Sequence, residues 1–419
     1  MYGSCEEMQA LHTRLLPMQQ RLTATLQDFT YATPERFISL PFDAQRLATI
    51  MQAAQEKQAL QPTLVVLIGI GGSSLGMLAV YEALRQTRSC ESNAARLLCA
   101  DTIDGQLTSA LRAEIEQEWR RGGKVLSVVV SKSGTTMETL INAACCFEIT
   151  KKHSQNYAQW ITIITDHDSP LWKLGKTENF QLLEVPKNIG GRFSVFSAVG
   201  LFPLAVLGID VEKLLAGARA ATQDETSESV ASALADCLYA QYERGLHMHD
   251  MFTFVPSLYA CGQWWRQLVG ESLGKERVGR ESVGITPTVS LGTNDLHSVA
   301  QLYLAGPDER FTLFVSCGQQ AADLTIPQNI FSELARLNKG LSVDRVHQAI
   351  FGGVCAAYEQ KQRAFMTLVF DEITAYEVGY FLQLQMMSVV YLGALFEINV
   401  FDQPQVELYK QKTRERLRA

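Results

Sequence analysis

The stretch Leu64–Gly76 (LVVLIGIGGSSLG) begins as an unbroken apolar run and ends in a glycine-rich turn. The run Leu64–Ile68 does not alternate with polar residues, which is typical of a strand buried on both faces of a parallel sheet. The turn leads into a helical pattern over Met77–Arg85. The stretch therefore predicts the strand, turn and helix of an α/β fold.

Similar buried runs recur along the chain and alternate with longer helical patterns. They predict further strands at Arg96–Ala100, Val125–Val130, Ile161–Ile164, Met251–Val255, Phe311–Val315 and Met366–Phe370. A charged stretch with Ser and Thr, Thr222–Ser232, interrupts this pattern before it resumes. We predict two tandem α/β domains, each a parallel sheet flanked by helices. The predicted divisions are an N-terminal helical segment (1–45), a first domain (46–221), a second domain (222–400) and a C-terminal helical tail (401–419).

The charge balance argues against polyanionic partners. The 37 Lys and Arg stand against 44 Asp and Glu in 419 residues, a net charge of −7. We therefore expect neither nucleic acid nor an anionic membrane as a partner, and an anionic ligand must be bound by local groups.

One uncharged stretch, Phe193–Ile209, approaches the ~18 residues of a spanning helix. Its Ser, Gly and Pro residues favour a buried core helix instead.

The cysteines and the N-terminus favour a cytoplasmic protein. Nine cysteines, two of them adjacent at Cys145 and Cys146, are a poor basis for a disulfide framework and are typical of reduced thiols. The first residues lack the positive start and apolar run of a signal peptide. Seven scattered histidines show no metal-ligand spacing, so no metal site is expected.

A hydroxyl-rich segment, Ser131–Thr139 (SKSGTTMET), separates the strand Val125–Val130 from a helix predicted to begin near Leu140. Its five hydroxyls, together with the N–H groups of a helix start, can surround the oxygens of a phosphate monoester. Ordinary helix capping needs only one such residue. The segment thus predicts a phosphate site, and the glycine turn is a second candidate anion site with a plain tight turn as its alternative.

Five further residues permit either a catalytic or an ordinary role. Arg192 precedes the uncharged helix, where a cation is disfavoured, and is either functional or a surface arginine. Glu271 follows two tryptophans, and is either a general base beside apolar surface or a solvated glutamate. His297 and its competitor His347 are each compatible with a structural role. Lys410 alone is typical of a solvated helix face.

Taken together, six ordered segments over most of the chain resemble the glucose-6-phosphate isomerase family in its shorter bacterial form. They are Ile68–Gly76, Ser131–Thr139, Gly190–Leu201, Gly270–Lys275, Thr293–Ser298 and Phe401–Lys410. The family's two domains share the sugar-isomerase (SIS) fold. Two segments match the family only weakly, Glu276–Glu281 and Cys317–Asn338. The first is expected to alter the rim of the site.

The resemblance implies interconversion of glucose 6-phosphate and fructose 6-phosphate by ring opening and a cis-enediol, with no cofactor and no metal. It implies substrate-binding roles for Gly72, Ser73, Ser131, Lys132, Ser133, Thr135, Thr136 and Gln267. It implies four catalytic roles. Glu271 is the base that moves a proton between C1 and C2, and His297 takes part in ring opening. Lys410 acts on the ring oxygen, and Arg192 stabilises the enediolate. It also implies a homodimer in which His297 reaches the neighbouring subunit's site.

Three alternatives remain. A non-catalytic sugar-phosphate sensor of the same fold would have no use for Glu271, His297 and Lys410 together. A dual phosphoglucose and phosphomannose isomerase would use the same residues on a second substrate. A dinucleotide-binding oxidoreductase should carry an acidic residue about 20 positions beyond the glycine turn, and Asp101 stands considerably further along.

Overall fold

The computed structural model describes residues 5–26, 28–85, 95–223, 230–277, 279, 281–318, 324–327, 333 and 340–418. The first half of the chain forms a five-stranded sheet. Its strands are β1 (Leu64–Ile68), β2 (Arg96–Ala100), β3 (Val125–Val130), β4 (Ile161–Thr165) and β5 (Gln181–Glu184). Their order is β2-β1-β3-β4-β5, and every neighbouring pair is parallel. All residues of β1, β3 and β4 are buried, as their predominantly apolar sequences predict.

The second half forms a four-stranded parallel sheet. Its strands are β6 (Met248–Thr253), β9 (Thr286–Leu291), β10 (Arg310–Cys317) and β11 (Phe365–Phe370), in the order β11-β10-β6-β9. A short antiparallel hairpin, β7 (Lys275–Glu276) and β8 (Ser282–Val283), precedes β9. The hairpin spans the weakly matching segment at 276–281, of which residues 278 and 280 lie outside the described residues. Most of the other weak segment, 317–338, also lies outside them.

Helices cover both sheets. They are α1 (Cys5–Ala24), α2 (Ala44–Gln58), α3 (Leu75–Leu84), α4 (Gly105–Arg120), α5 (Met137–His153), α6 (Pro170–Thr177), α7 (Ala198–Val206), α8 (Val211–Gln223), α9 (Val230–Glu243), α10 (Tyr259–Leu273), α11 (Ala300–Ala305), α12 (Val343–Gln360), α13 (Ala375–Phe396) and α14 (Pro404–Arg418). Short 3₁₀ helices include Pro34–Phe42, Gly71–Ser73, Gly191–Phe193 and Asn294–His297.

The predicted α/β class, with parallel sheets flanked by helices, is confirmed. The predicted domain boundaries stay predictions, and residues 224–229 near the second boundary lie outside the described residues.

The most apolar helices are core elements. Every residue of α7, within the uncharged stretch, is buried. Helix α13 is long and apolar enough to cross a membrane by length and composition. However, 89% of its apolar 18-residue stretch is buried inside the fold. Burial on all sides is the property of a core helix.

Candidate active site

Two of the candidate segments lie side by side at the carboxyl ends of neighbouring strands. The glycine turn follows β1 and the hydroxyl-rich loop follows β3, and these strands pair in parallel. A Cβ atom on Gly69 would lie 3.0 Å from the carbonyl oxygen of Val130, the residue just before the loop. The carboxyl edge of a parallel sheet is where α/β proteins generally bind ligands.

The loop Ser131–Thr136 is held by its own hydroxyls. Ser131 Oγ donates to Thr136 Oγ1 at 3.0 Å, and the backbone N–H and hydroxyl of Thr135 both donate to Ser133 Oγ, at 3.3 and 2.9 Å. Ser131 is buried, whereas Ser133 and Thr135 are exposed. Helix α5 begins directly after the loop. The exposed hydroxyls and the helix N-terminus therefore face solvent together, as an anion site requires.

Lys132 adds a positively charged side chain to the same loop. Burial lowers the pKa of Lys132, and the neighbouring carboxylate of Asp166 partly opposes this effect. The backbone N–H of Asp166, just after β4, donates to the Lys132 carbonyl at 3.0 Å. The loop is thus anchored to the next strand while its ammonium group supplies local charge in a net acidic protein.

The glycine turn is packed closely against two other parts of the site. Gly71 has a φ of +58°, and a Cβ there would lie 2.9 Å from Gln267 Nε2. A Cβ on Gly72 would lie 2.4 Å from the backbone carbon of Gly191 and 2.6 Å from the backbone nitrogen of Arg192. Only glycine allows these approaches, so the turn brings α10 and the Gly191–Phe193 segment together.

Glu271 lies one helical turn beyond Gln267 on the same face of α10. Its Oε1 accepts a hydrogen bond from Gln267 Nε2 at 3.1 Å, and its Oε2 accepts one from Arg192 Nη1 at 3.2 Å. The glutamate side chain is 34% exposed and the arginine side chain 1% exposed. The carboxylate is thus oriented from one side and open to a ligand on the other.

Arg192 is a buried arginine with partners around its whole guanidinium group, not a surface residue on a turn. Besides Glu271, it donates to side chains and carbonyls from two distant segments. These acceptors are Ser272 Oγ (2.8 Å), Gln403 Oε1 (2.8 Å), the carbonyl of Asp402 (3.1 Å) and the carbonyl of Val400. Burial lowers its pKa, and the nearby carboxylates of Glu271 and Asp402 oppose that effect. A fixed cation beside the candidate base can stabilise negative charge that develops on a substrate.

Among the described residues, no hydrogen bond or ion pair joins the remaining two catalytic candidates, His297 and Lys410, to the Glu271 carboxylate. His297 is exposed at the end of a 3₁₀ helix beyond β9, at the carboxyl edge of the second sheet. Lys410 is 41% exposed on α14 and pairs with Glu407 at 2.8 Å. The competing His347 lies against the Phe254 carbonyl, with Nε2 at 2.8 Å, which indicates a structural role.

Sequence reasoning did not single out three residues that the structure places here. Ser272 and Gln403 contact Arg192, and Lys275 contacts the backbone of Glu271 at 2.6 Å. All three lie within the segments Gly270–Lys275 and Phe401–Lys410, so their position beside predicted residues was the available signal. Among the described residues, no group of three or more His, Cys, Asp or Glu side chains is arranged to hold a metal ion.

Comparison with known proteins agrees with this arrangement. The model of the family described as phosphoglucose isomerase matches residues 52–417. The glucose-6-phosphate isomerase of Carboxydothermus hydrogenoformans is 34% identical over 395 residues, which cover 90% of this chain and 83% of that protein. A hypothetical protein of Thermus thermophilus has a similar structure, with a TM-score of 0.85 at 31% identity over 98% of this chain and 97% of that one. A glucose-6-phosphate isomerase from Chlamydia trachomatis shares the fold, with a TM-score of 0.81 at 21% identity over 98% and 85% of the two chains. Because the family match spans both sheets and every segment of the candidate site, this chain belongs to the phosphoglucose isomerase family.

Proposed function

We propose that this protein interconverts glucose 6-phosphate and fructose 6-phosphate by moving a proton between C1 and C2 of the open-chain sugar. The observation that carries the proposal is the pairing of a partly exposed carboxylate, Glu271, with a buried cation, Arg192, beside the glycine turn. An isomerase needs such a base and such a charge, whereas a sensor that only binds sugar phosphates needs neither.

In this proposal the loop Ser131–Thr136 binds the phosphate. The hydroxyls of Ser133 and Thr135 and the N-terminus of α5 supply donors, and Lys132 supplies charge. Gly72 and Ser73 on the neighbouring turn contact the sugar, and Gln267 adds a donor between the turn and the base. Fixing the phosphate at one end places the reacting carbons at the other.

Glu271 then acts as the base at the reacting carbons. Its carboxylate removes the proton from C2 of the aldose and returns it to C1, and a well-placed base contributes on the order of 10²- to 10⁴-fold. Negative charge develops on the enediolate oxygens as the proton leaves. The guanidinium of Arg192, held by its five acceptors, stabilises this charge without moving a proton.

We assign ring opening to His297 and Lys410, with His297 supplied by the partner in a homodimer. Two observations support this assignment: His297 is exposed at the edge of the second sheet, and Lys410 is on a helix whose start adjoins Gln403. Subunit complementation tests it. Mixing inactive Glu271→Gln and His297→Ala dimers should restore about a quarter of wild-type activity, because half of the dimers are mixed and each has one intact site. No restoration after subunit exchange would exclude the shared site.

A cytoplasmic location is also part of the proposal. Six of the described cysteines, at positions 99, 145, 146, 237, 261 and 355, are free thiols. Free thiols at several positions are typical of a reducing compartment. Fractionation of the native cells, followed by detection of this chain, tests the location directly.

A coupled assay tests the function itself. Fructose 6-phosphate is supplied to the purified protein and glucose 6-phosphate is followed through its oxidation by a dehydrogenase. Steady turnover supports the proposal. Saturable binding without turnover would indicate a sensor, and equal turnover of mannose 6-phosphate in a parallel assay would indicate the dual isomerase.

A further inference from the structure

Lys275 joins the helix of the candidate base to the end of the chain. It follows α10 directly, and its ammonium group donates to the carbonyl of Glu271 at 2.6 Å and to the carbonyl of Asp402 at 2.8 Å. Its side chain is 9% exposed. A cation beside the last carbonyls of a helix is favoured by the helix dipole, and three donors on one ammonium group allow it to bridge two segments.

The carbonyl oxygen of Asp402 accepts hydrogen bonds from both Lys275 and Arg192. Lys275 Nζ lies 2.8 Å from this oxygen and Arg192 Nη2 lies 3.1 Å from it. The carboxylate of Asp402 adds an ion pair to Lys275, with Oδ1 and Nζ at 3.6 Å, and accepts from Asn399 Nδ2 at 2.8 Å. Two cations this close to one another repel. The acceptors named above and the carboxylates of Glu271 and Asp402 offset this repulsion.

The segment held in this way, residues 399–403, is named here the C-terminal strap. Phe401 of the strap packs against Phe193, with ring centroids 5.2 Å apart, and against Phe37 at 6.3 Å. The strap carries Gln403, which contacts Arg192, and leads directly into α14 with Lys410. The position of the strap therefore sets where both side chains stand relative to Glu271.

We infer that Lys275 is a positioning residue of the active site, which fixes the C-terminal strap against the base helix and so aligns Gln403 and α14 with Glu271. This inference rests on the proposed function. Lys275 is not assigned a catalytic role, because its ammonium group is directed at backbone carbonyls rather than at the Glu271 carboxylate. Its effect on the reaction passes through the strap.

The experiment compares Lys275→Met with a matched control, Lys213→Met. Lys213 also belongs to a lysine–aspartate pair, with Asp210 at 3.5 Å, but is 75% exposed on α8. Amide hydrogen exchange of residues 399–418 is measured for both variants, together with kcat and KM. In Lys275→Met we expect faster exchange in this segment, and a fall in kcat of roughly 10- to 100-fold from misalignment. KM should change by less than about threefold, because the phosphate loop is untouched. The control should match the wild type.

Each outcome bears on the inference. Unchanged exchange at 399–418 would show that Lys275 does not hold the strap. Faster exchange with unchanged kcat would show that the strap is held for stability alone. If Lys275→Met does not fold, Lys275→Gln replaces it, with the same faster exchange and lower kcat expected, because the charge is lost. Wild-type values for both would overturn the inference. A wild-type protein without turnover would defeat the proposed function, whereas the exchange data would still decide whether Lys275 holds the strap.

Discussion

Arg192 Nη1 lies 3.2 Å from Glu271 Oε2, and the two residues come from positions 79 apart in the chain. The arginine is almost fully buried and the glutamate is about one-third exposed. The pair therefore presents a carboxylate to a ligand while its counter-charge stays out of solvent. A buried cation in a fixed position stabilises developing negative charge without reorganising, which is the main electrostatic requirement of an enediolate reaction.

Replacing Arg192 should abolish most of the activity. Arg192→Lys keeps the charge but loses the planar fork that reaches five acceptors, so we expect kcat to fall roughly 10²- to 10³-fold. Ser272→Ala is the matched control, since it removes only the acceptor of Arg192 Nε. Its kcat should fall far less. Steady-state kinetics on both folded variants tests this, and equal losses would contradict the separate role of the planar guanidinium group.

The close approach at Gly72 predicts a steric penalty. A Cβ there would meet the backbone of Gly191 at 2.4 Å, so Gly72→Ala must displace the Arg192 segment and should destabilise the fold by about 1–3 kcal/mol. Gly105→Ala is the control, because a Cβ at that position has no atom within 4 Å. Urea unfolding gives the free energy of unfolding for both. Equal stability of the two variants would show that the turn tolerates a side chain.

The loop at Ser131–Thr136 should contribute to binding more than to chemistry. Lys132→Met removes its positive charge, and the loss of a charge-assisted contact predicts a rise in KM of roughly 10- to 100-fold with a smaller change in kcat. Exposed Lys173, on α6, provides the control variant Lys173→Met. Inhibition by inorganic phosphate should weaken in parallel with KM. A change confined to kcat would place Lys132 elsewhere in the reaction.

A buried carboxyl group outside the active site predicts a pH-dependent stability. Burial raises the pKa of Asp236 from 3.8 to about 6, and the charges of His12 and Arg14 limit the rise. Between these two values the folded chain keeps a proton that the unfolded chain has released. The free energy of unfolding therefore falls as pH rises through this window, and the cost is constant above it.

Asp236→Asn mimics the protonated form. It should exceed the wild type in stability by about 1–3 kcal/mol near pH 7.5, and the difference should disappear near pH 4. Denaturant unfolding at the two pH values measures this effect. A stability difference that is the same at both would show that the Asp236 carboxyl group does not titrate as described.

Part of this structure was predictable because it depends on local sequence. The sequence predicts strands β1, β2 and β3 with their observed bounds, since each is a short, mainly apolar run between turns or loops. Strand β5 is four residues long, with polar Gln181 and Glu184 at its ends, and β9 contains a proline and two threonines. Strand β5 is too short to show a periodicity, and the proline in β9 argues against a strand interior. Both are stabilised by pairing with neighbours that the local pattern does not reveal.

The candidate site was predictable residue by residue but not as a set of contacts. Arg192, Gln267 and Glu271 were named from sequence, yet the hydrogen bonds joining them depend on how α10 and the glycine turn pack. Lys275 was missed as a functional residue because its partners are backbone carbonyls, which carry no sequence signal. The roles of His297 and Lys410 stay predictions.

A comparison of two reaction rates tests the role of Glu271 as the base. The rate of conversion of fructose 6-phosphate to glucose 6-phosphate is measured for the wild type and for Glu271→Gln, with unfolding curves to confirm that both are folded. Glutamine keeps the shape of the side chain but cannot accept the proton, so kcat should fall on the order of 10²- to 10⁴-fold while KM changes little. A folded Glu271→Gln variant with near-wild-type kcat would exclude Glu271 as the base.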